Sequence, residues 1–377
     1  MKVLMLLGRS TGGIGTHVAE LSADLRSLGA DVIVVTHPLT ASRFDLGRVR
    51  LWWPGSAGWI RSLHDFRLLR RLALDSDIVH AHGHQGALLA TLSMMPIALP
   101  RDRSRPKLVV SQHNAVLEGS SRQGLKRVSQ RWVARHADLV TGASSDLVEE
   151  AGAFGASRAE LAEVPSPRVP ELLAQPPADG PTRAVIRGSL ISSLALDHVD
   201  LAPPLVVTIS RIAPQKNLPV LVEAASRLRS TCTWVVVGDG EPELLAQLQA
   251  QARALGAPVH FVGPRMDVDQ WLRAAEVFVL PSAWEARALV VQEAMAAGTP
   301  VVATDVGGLH DLVAGTGLLV IPGDPEAIAN ATDRVLSDAA LRADLAARGR
   351  HVAATLPDGR DTASRWLERY TETLRMT

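Results

Sequence analysis

At 377 residues, with 39 basic and 39 acidic side chains, the chain is long enough for two ordinary domains and carries no net charge at pH 7. A composition of 47% hydrophobic and 21% charged residues excludes a disordered chain, and five Phe and one Tyr leave the cores to Ala, Val and Leu. The charge is uneven: residues 1–165 carry 20 basic and 15 acidic groups and residues 166–377 carry 19 and 24, so the first half suits an anionic partner, and no nucleic-acid partner is expected.

The chain opens on "KVLMLLG", a strand running into a glycine loop rather than a signal peptide. "IGTHVAELSADLRSLG" follows as a helix, with Val18, Leu21, Leu25 and Leu28 on one face and Gly29 as its stop. "DVIVVT", "DIVHAH", "KLVVSQH" and "DLVTGAS" are further strands, hydrophobic throughout and so covered on both faces, as in a parallel sheet. "GALLATLSMMPIALP" falls short of the roughly 20 residues that span a bilayer, and a cytoplasmic protein is expected. Prolines then cluster, and residues 166–203 read as a connection, with a short helix near Ala184–Leu194. A second alternation runs over 204–359: "PLVVTIS", "TWVVVGDG", "VHFVG", "VFVLPS", "PVVATDVGG" and "GLLVIPG", with helices between. The lone cysteine, Cys232, excludes an internal disulfide and reads as a buried structural thiol. A helix over 360–377, with Trp366 and Tyr370 one turn apart, is expected to pack back on the first domain. The fold class is α/β: two Rossmann-like, doubly wound parallel-sheet domains, 1–165 and 204–359, facing a cleft.

Chemistry concentrates where strands end. "GRSTGGIGTH" places Gly12 and Gly13 between a strand and a helix, where backbone N–H groups can approach an anion. It lacks G-x-G-x-x-G, and the second strand ends without an acidic residue, against a dinucleotide site. "SRIAPQKN" sets Arg211 and Lys216 one tight turn apart after a strand; a planar fork beside a point charge suits a diphosphate. Arginine supplies 35 of the 39 cations, which makes Lys216, the sole lysine after Lys126, a conspicuous choice. "EARALVVQEAM" spaces Glu285 and Glu293 eight apart around a helix start, with N–H groups at Ala288 and Leu289. Asp75 and Asp77 fall at the amino edge of a strand, and Asp267 and Asp269 read as N-cap and first-turn charge. His80, His82 and His84 alternate on one strand face, a conceivable metal trio without a nearby carboxylate, and no metal is expected. His113 ends the next strand at the ligand edge. "SRQGLKRVSQRWVARHAD" is a basic amphipathic helix, with Arg127 and Arg131 among its cations and Leu125, Val128 and Trp132 as its apolar side. It reads either as a solvated face or as a contact for anionic lipid or an anionic acceptor.

Taken together, "GGIGTHVAEL", "DIVHAH", "SRIAPQKN", "VVVGDGEPE", "HFVG", "PSAWEARALVVQEAMAAGTPVVATDVGGLHDLV" and "TGLLVIPGDPEAIANA" resemble the retaining nucleotide-sugar glycosyltransferases of the GT-B fold, the GT4 type with an E-x7-E motif. The resemblance implies that a UDP- or GDP-linked sugar is the donor and that no cofactor is needed. It implies donor contacts from Gly13, Arg211, Lys216, Arg265, Glu285, Ala288, Leu289 and Glu293. Arg211 and Lys216 would hold the diphosphate as leaving group, Glu293 the ribose, and Glu285 the donor sugar. His113 would lie near the reaction centre. Gly12, Arg127 and Arg131 are the candidates for acceptor or peripheral contact at the inner membrane face. The chain departs from the family in having Ala286 and Ala288 where Gly and Pro are usual, and "VPSPRVPELL" where a different turn is usual. The acceptor stays open, as do a catalytically silent sugar-nucleotide-binding homologue and an epimerase or phosphorylase on the same architecture.

Overall fold

A computed structural model describes residues 1–10, 12–51, 59–95, 105–114, 123–162, 164–194 and 202–376. The chain divides into two compact units, Met1–Pro167 with Pro357–Thr377, and Arg168–Leu356.

The first unit runs β1 (Lys2–Leu7), α1 (Gly13–Ser27), β2 (Asp31–Thr36), α2 (Pro38–Ala41), β3 (Val49–Leu51), α3 (Trp59–Leu74), β4 (Ile78–His82), α4 (Gly83–Met94), β5 (Lys107–Gln112), α5 (Gln123–His136), β6 (Leu139–Gly142), α6 (Ser145–Ala153) and β7 (Ala159–Leu161). Its sheet has the order β3-β2-β1-β4-β5-β6-β7, with every pairing parallel. Alternate β1 residues feed two cores. Val3, Met5 and Leu7 join Val18, Leu21 and Leu25 of α1, while Leu4 and Leu6 join Ala87 and Ala90 of α4. The C-terminal helix Gly359–Arg375 completes the first of these cores with Ala363, Trp366 and Tyr370, the last two at 1% and 0% exposure. At the amino edge, Asp77 Oδ2 accepts from Lys2 N at 2.7 Å and Asp75 pairs with Lys2 Nζ at 3.1 Å. β3 and β7, three residues each, are edge strands that the sequence pattern did not announce.

The second unit begins inside the segment expected to be a connection. α7 (Val169–Ala174) and α8 (Gly180–Leu194) bury Val169, Leu172, Ile186 and Leu190 in its core. Two of the clustered prolines, Pro170 and Pro181, are the second residues of these helices, in the first turn, where an N–H has no partner within the helix. Arg350 ties the end of α7 down, donating to the carbonyls of Leu173 at 2.6 Å and Gln175 at 2.7 Å. Then follow β8 (Leu205–Ile209), α9 (Leu218–Ser226), β9 (Thr233–Val237), α10 (Pro242–Leu255), β10 (Val259–Phe261), α11 (Val268–Ala274), β11 (Val277–Leu280), α12 (Leu289–Ala297), β12 (Val301–Thr304), α13 (Gly308–Val313), β13 (Leu318–Val320), α14 (Pro325–Ser337) and α15 (Ala339–Ala353). The sheet order is β10-β9-β8-β11-β12-β13, again all parallel. Cys232, buried just before β9, has its thiol pushed up to about 11 by burial and by Asp333, so it is inert. Among the described residues no helix is long and apolar enough to cross a membrane.

Candidate functional site

Both sheets reverse their strand order beside their first strand, β1 against β4 and β8 against β11, and ligands of doubly wound sheets bind at the carboxyl ends of strands there. The loops at those ends carry most of the candidate residues.

In the second unit the loop after β8 is shaped by its neighbour after β9. Ile212 N donates to Asp239 O at 2.7 Å, and Ser210 N to Val237 O at 3.0 Å. A Cβ on Gly238, at φ +143, would lie 1.9 Å from Ser210 O, and one on Gly240 would lie 2.0 Å from Ile212 O. The two glycines of "VGDG" are thus required by the backbone passing against them. The chain then tightens through the 3-10 turn Pro214–Lys216 and turns into α9 at Asn217, whose φ of 52 is the sole positive value at a non-glycine among the described residues.

This turn delivers Lys216 to Glu285. Lys216 Nζ is bonded to Glu285 Oε1, which also accepts from Ser282 Oγ at 2.8 Å. Gln215 fixes the facing loop, donating from Nε2 to Trp284 O at 2.8 Å and accepting from Ala283 N at 2.9 Å. Gly308 N donates to Glu285 O at 2.9 Å, and a Cβ on Gly307 would lie 2.3 Å from that same oxygen. Glu285 and Glu293 are each 7% exposed. Glu293 stands on α12 and faces Arg168, 3.7 Å from its guanidinium. Ala288 is the N-cap of α12 and Leu289 its first residue; no side chain caps the helix there. Arg211 is exposed on the β8 loop. Arg265 does not stand free: Asp267 accepts from it at 3.1 and 3.3 Å. Asp267 is the N-cap of α11 and Asp269 lies in its first turn, as read from the sequence, but the Asp267 carboxylate turns to Arg265 and bonds no N–H of the helix.

In the first unit Gly12 is the N-cap of α1 and Gly13 its first residue. Ser10 holds the loop, its Oγ accepting from Gly15 N at 3.0 Å and its N–H donating to Thr40 Oγ1 at 2.9 Å. His113, 8% exposed just beyond β5, meets His82 at 3.2 Å between Nε2 and Nδ1, with the rings stacked at 14°. His17 stands edge-on to both. Burial depresses all three, His17 to about 4 and His113 to about 3, so they are neutral imidazoles at pH 7.

The alternation of His80, His82 and His84 does not make a cluster. His80 is spent in a buried chain, bonded to Tyr370 Oη at 2.7 Å and to Ser111 Oγ at 2.7 Å, with Ser111 bonded to Thr141 at 2.8 Å. His84 has passed onto α4 and bonds Ser129 at 3.1 Å. Among the described residues the trio that forms is His17, His82 and His113, with ligand atoms within 4.8 Å of one another. A tetrahedral zinc site with bonds near 2.05 Å sets its nitrogens about 3.3 Å apart, so these rings would have to close to hold an ion.

His82 and His113 open onto a cavity of about 490 Å³, whose lining also includes Gln112, Asn114, Lys126 and Gln130. Arg127 and Arg131 do not line it. Arg131 lies over the Phe154 ring at 5.8 Å, and Arg127 is exposed. Of the apolar face expected for α5, Trp132 packs against the core and Val128 does not. Val128 is 63% exposed, while Gln130, Val133 and Ala134 are buried; the side chain of Leu125 lies outside the described residues. Sequence reasoning missed Gln112 and Gln130. The signal was the spacing Lys126, Gln130, Val133, which keeps one face of the helix toward the sheet.

Two family models match the chain, "Glycosyl transferase 4-like domain" over residues 12–167 and "Glycosyl transferases group 1" over 203–338. The chain is similar to D-inositol 3-phosphate glycosyltransferase of Jonesia denitrificans, 31% identical over 91% of this chain and 87% of that one. It is 27% identical to glycogen synthase of Mycobacterium tuberculosis, over 90% and 86%. In architecture it matches HepE of Anabaena solved with UDP-glucose, with a TM-score of 0.81, 22% identity, and coverage of 99% and 100%.

Proposed function

The chain belongs to the glycosyltransferases of the GT4 type with the GT-B fold, and from that premise we propose that it transfers a sugar from a nucleoside diphosphate sugar to a hydroxylated acceptor with retention at the anomeric carbon. The second unit takes the donor, UDP- or GDP-linked, and the first takes the acceptor. The observation that carries this reading is the Lys216–Glu285 pair, held at the carboxyl edge of the second sheet by three loops.

In this reading the C1–O bond to the diphosphate breaks and its electron pair stays on the phosphate oxygen. The acceptor oxygen bonds C1 from the same face, and its proton passes to that phosphate oxygen. Arg211 and Lys216 supply the positive charge for the leaving group, which makes a metal ion unnecessary. Lys216 has three N–H donors and Glu285 takes one, leaving donors for phosphate while the pair fixes the Glu285 side chain beneath the sugar. Glu293 binds ribose hydroxyls, and the N–H groups at Ala288 and Leu289 meet phosphate or sugar oxygens. Gly13 lets the first loop approach the diphosphate. His113, neutral by burial, serves as a hydrogen-bonding group to the sugar rather than as a cation. The relatives act, by their names, on an inositol phosphate and on glycogen, so kinship leaves the acceptor open. The exposed Arg127 and Val128 support contact of this helix with an anionic membrane face. Flotation indifferent to anionic lipid would remove that part.

A thermal-shift panel of UDP, GDP, ADP, TDP and NAD tests the donor assignment. One nucleoside diphosphate at about 100 times its dissociation constant should stabilise the protein by about 2.7 kcal/mol. A shift with NAD alone would overturn it. Turnover of the sugar nucleotide in the presence of EDTA by wild type, but not by Lys216→Ala, separates an enzyme from a silent homologue.

A further inference from the structure

Two buried imidazoles of the first unit already stand at the spacing of ligands on one ion. His82 Nδ1 and His113 Nε2 are 3.2 Å apart, and two nitrogens about 2.05 Å from a common tetrahedral ion stand about 3.3 Å apart. Facing nitrogens at that separation need something between them. Either one carries the proton of an N–H···N bond, or both turn lone pairs on a cation. His82 Nε2 has no partner among the described residues, so no second bond fixes which nitrogen of that ring holds its proton. The same backbone therefore suits both arrangements.

His17 supplies the third nitrogen. It stands on α1, edge-on to both rings with centroids at 5.8 and 5.6 Å, and one nitrogen from each ring lies within 4.8 Å of the others. A side-chain torsion change of about 30° brings a ring nitrogen in from there, a departure that proteins tolerate where a bond is gained. The three rings come from α1, from β4 and from the chain just past β5, and they are 5%, 2% and 8% exposed. His82 and His113 line the cavity of about 490 Å³, which gives an ion its path and leaves room for a water as fourth ligand.

Among the described residues the cluster holds neither a carboxylate nor a thiolate. Imidazole nitrogens suit Zn²⁺ and its neighbours, whereas Mg²⁺ and Ca²⁺ take oxygen. We propose that His17, His82 and His113 form a Zn²⁺ site with three protein ligands and one open position, and that the ion and the donor sugar compete for His113. The second clause rests on the reading of His113 as a sugar contact; the first does not. The ion has no step in the transfer, whose leaving group is assigned to Arg211 and Lys216. Zinc is thus an antagonist: turnover proceeds in chelator and is silenced by the ion.

Full-length protein stripped with EDTA and dialysed tests both clauses. Co²⁺ is the optical probe. On three imidazoles it should give the strong visible bands of a four-coordinate ion, and Zn²⁺ should displace it at one equivalent per chain. Mg²⁺ and Ca²⁺ should leave the spectrum unchanged. His17→Phe keeps a ring in the buried place and should weaken Zn²⁺ by about tenfold or more. His84→Ala removes a histidine outside the trio and should not. If His17→Phe lowers the melting temperature, His113→Gln repeats the measurement on another element. Absence of the cobalt bands overturns the site, and so does a Zn²⁺ affinity unchanged in both variants. In turnover of the sugar nucleotide, one equivalent of Zn²⁺ should cut the rate about tenfold or more, EDTA should restore it, and more sugar nucleotide should raise the Zn²⁺ required. Zn²⁺ held by the trio with turnover intact overturns the antagonism and, with it, the assignment of His113 to the sugar. A thermal shift with UDP in the same preparation reads the donor half independently of the metal.

Discussion

Lys216 holds an ion pair that is 15% exposed on one side and 9% on the other, in a chain that uses arginine nearly everywhere else. Arginine at that position would keep the charge, but its planar fork needs room beside Ser282 and Glu285 that a single ammonium does not. Lys216→Arg is expected to lower turnover by about 10²–10³, the loss seen when one charge-stabilising donor is misplaced, with melting unchanged within ~2 °C. Steady-state kinetics and a melting curve on one preparation check it; near-normal turnover would make the lysine incidental. The positions of Arg211, Lys216, Glu285 and Glu293 at strand ends and around a helix start could be read in the sequence. The partners could not. Glu285 lies 69 residues from Lys216, and the capture of Arg265 by Asp267 depends on a turn whose path no periodicity records.

At the scale of elements, long apolar strands were legible because both of their faces are buried, and the three-residue edges β3 and β7 were not. α5 was legible as a helix but not in its rotation. Counting apolar residues favours Val128 and Trp132; Trp132 does pack on the core, but Val128 is exposed and the packed face takes in the buried Gln130. Val133→Ala should therefore cost roughly 2 kcal/mol, and Val128→Ala less than about 0.5 kcal/mol; chemical denaturation of the two variants tells them apart. The loop after β9 makes a second claim. Gly238→Ala places a methyl against the Ser210 carbonyl at a backbone angle that favours glycine. A cost on the order of 2–4 kcal/mol is expected, seen as a lower melting temperature, with weaker UDP binding because the loop that carries Arg211 is pushed aside.

At the scale of the molecule, pH acts through the buried histidines. His17, His80, His82 and His113 are each depressed by burial, and Tyr370 Oη, raised by burial, faces His80. The unfolded chain binds protons on these rings near pH 6.5 and the folded chain does not, so stability is complete above about 6.5 and falls as the pH drops. For His17, down to its folded value of about 4, the loss is on the order of 3 kcal/mol. Melting of the first unit should fall steeply between pH 6.5 and 4 and stay flat from 7 to 8.5; a flat acid limb would mean the rings are protonated in the folded state. The two-sheet architecture could be read from the repeated strand–helix alternation. The partition of 166–203 could not, because prolines that start helices look the same in sequence as prolines that keep a linker open.

The C-terminal helix has a consequence for biosynthesis. Trp366 and Tyr370 belong to the core built on β1 and α1, yet the ribosome makes them after the whole of Arg168–Leu356. The second unit is complete in sequence when the first still lacks a wall, so it is expected to finish first although it is translated later, against the usual N-to-C order. Until residue 370 emerges, His80 and its neighbours on that face of the nascent sheet stand open to chaperones and proteases. Chains arrested at residue 356 should therefore yield a protease-resistant fragment from Arg168–Leu356 and a cleavable one from the first 167 residues.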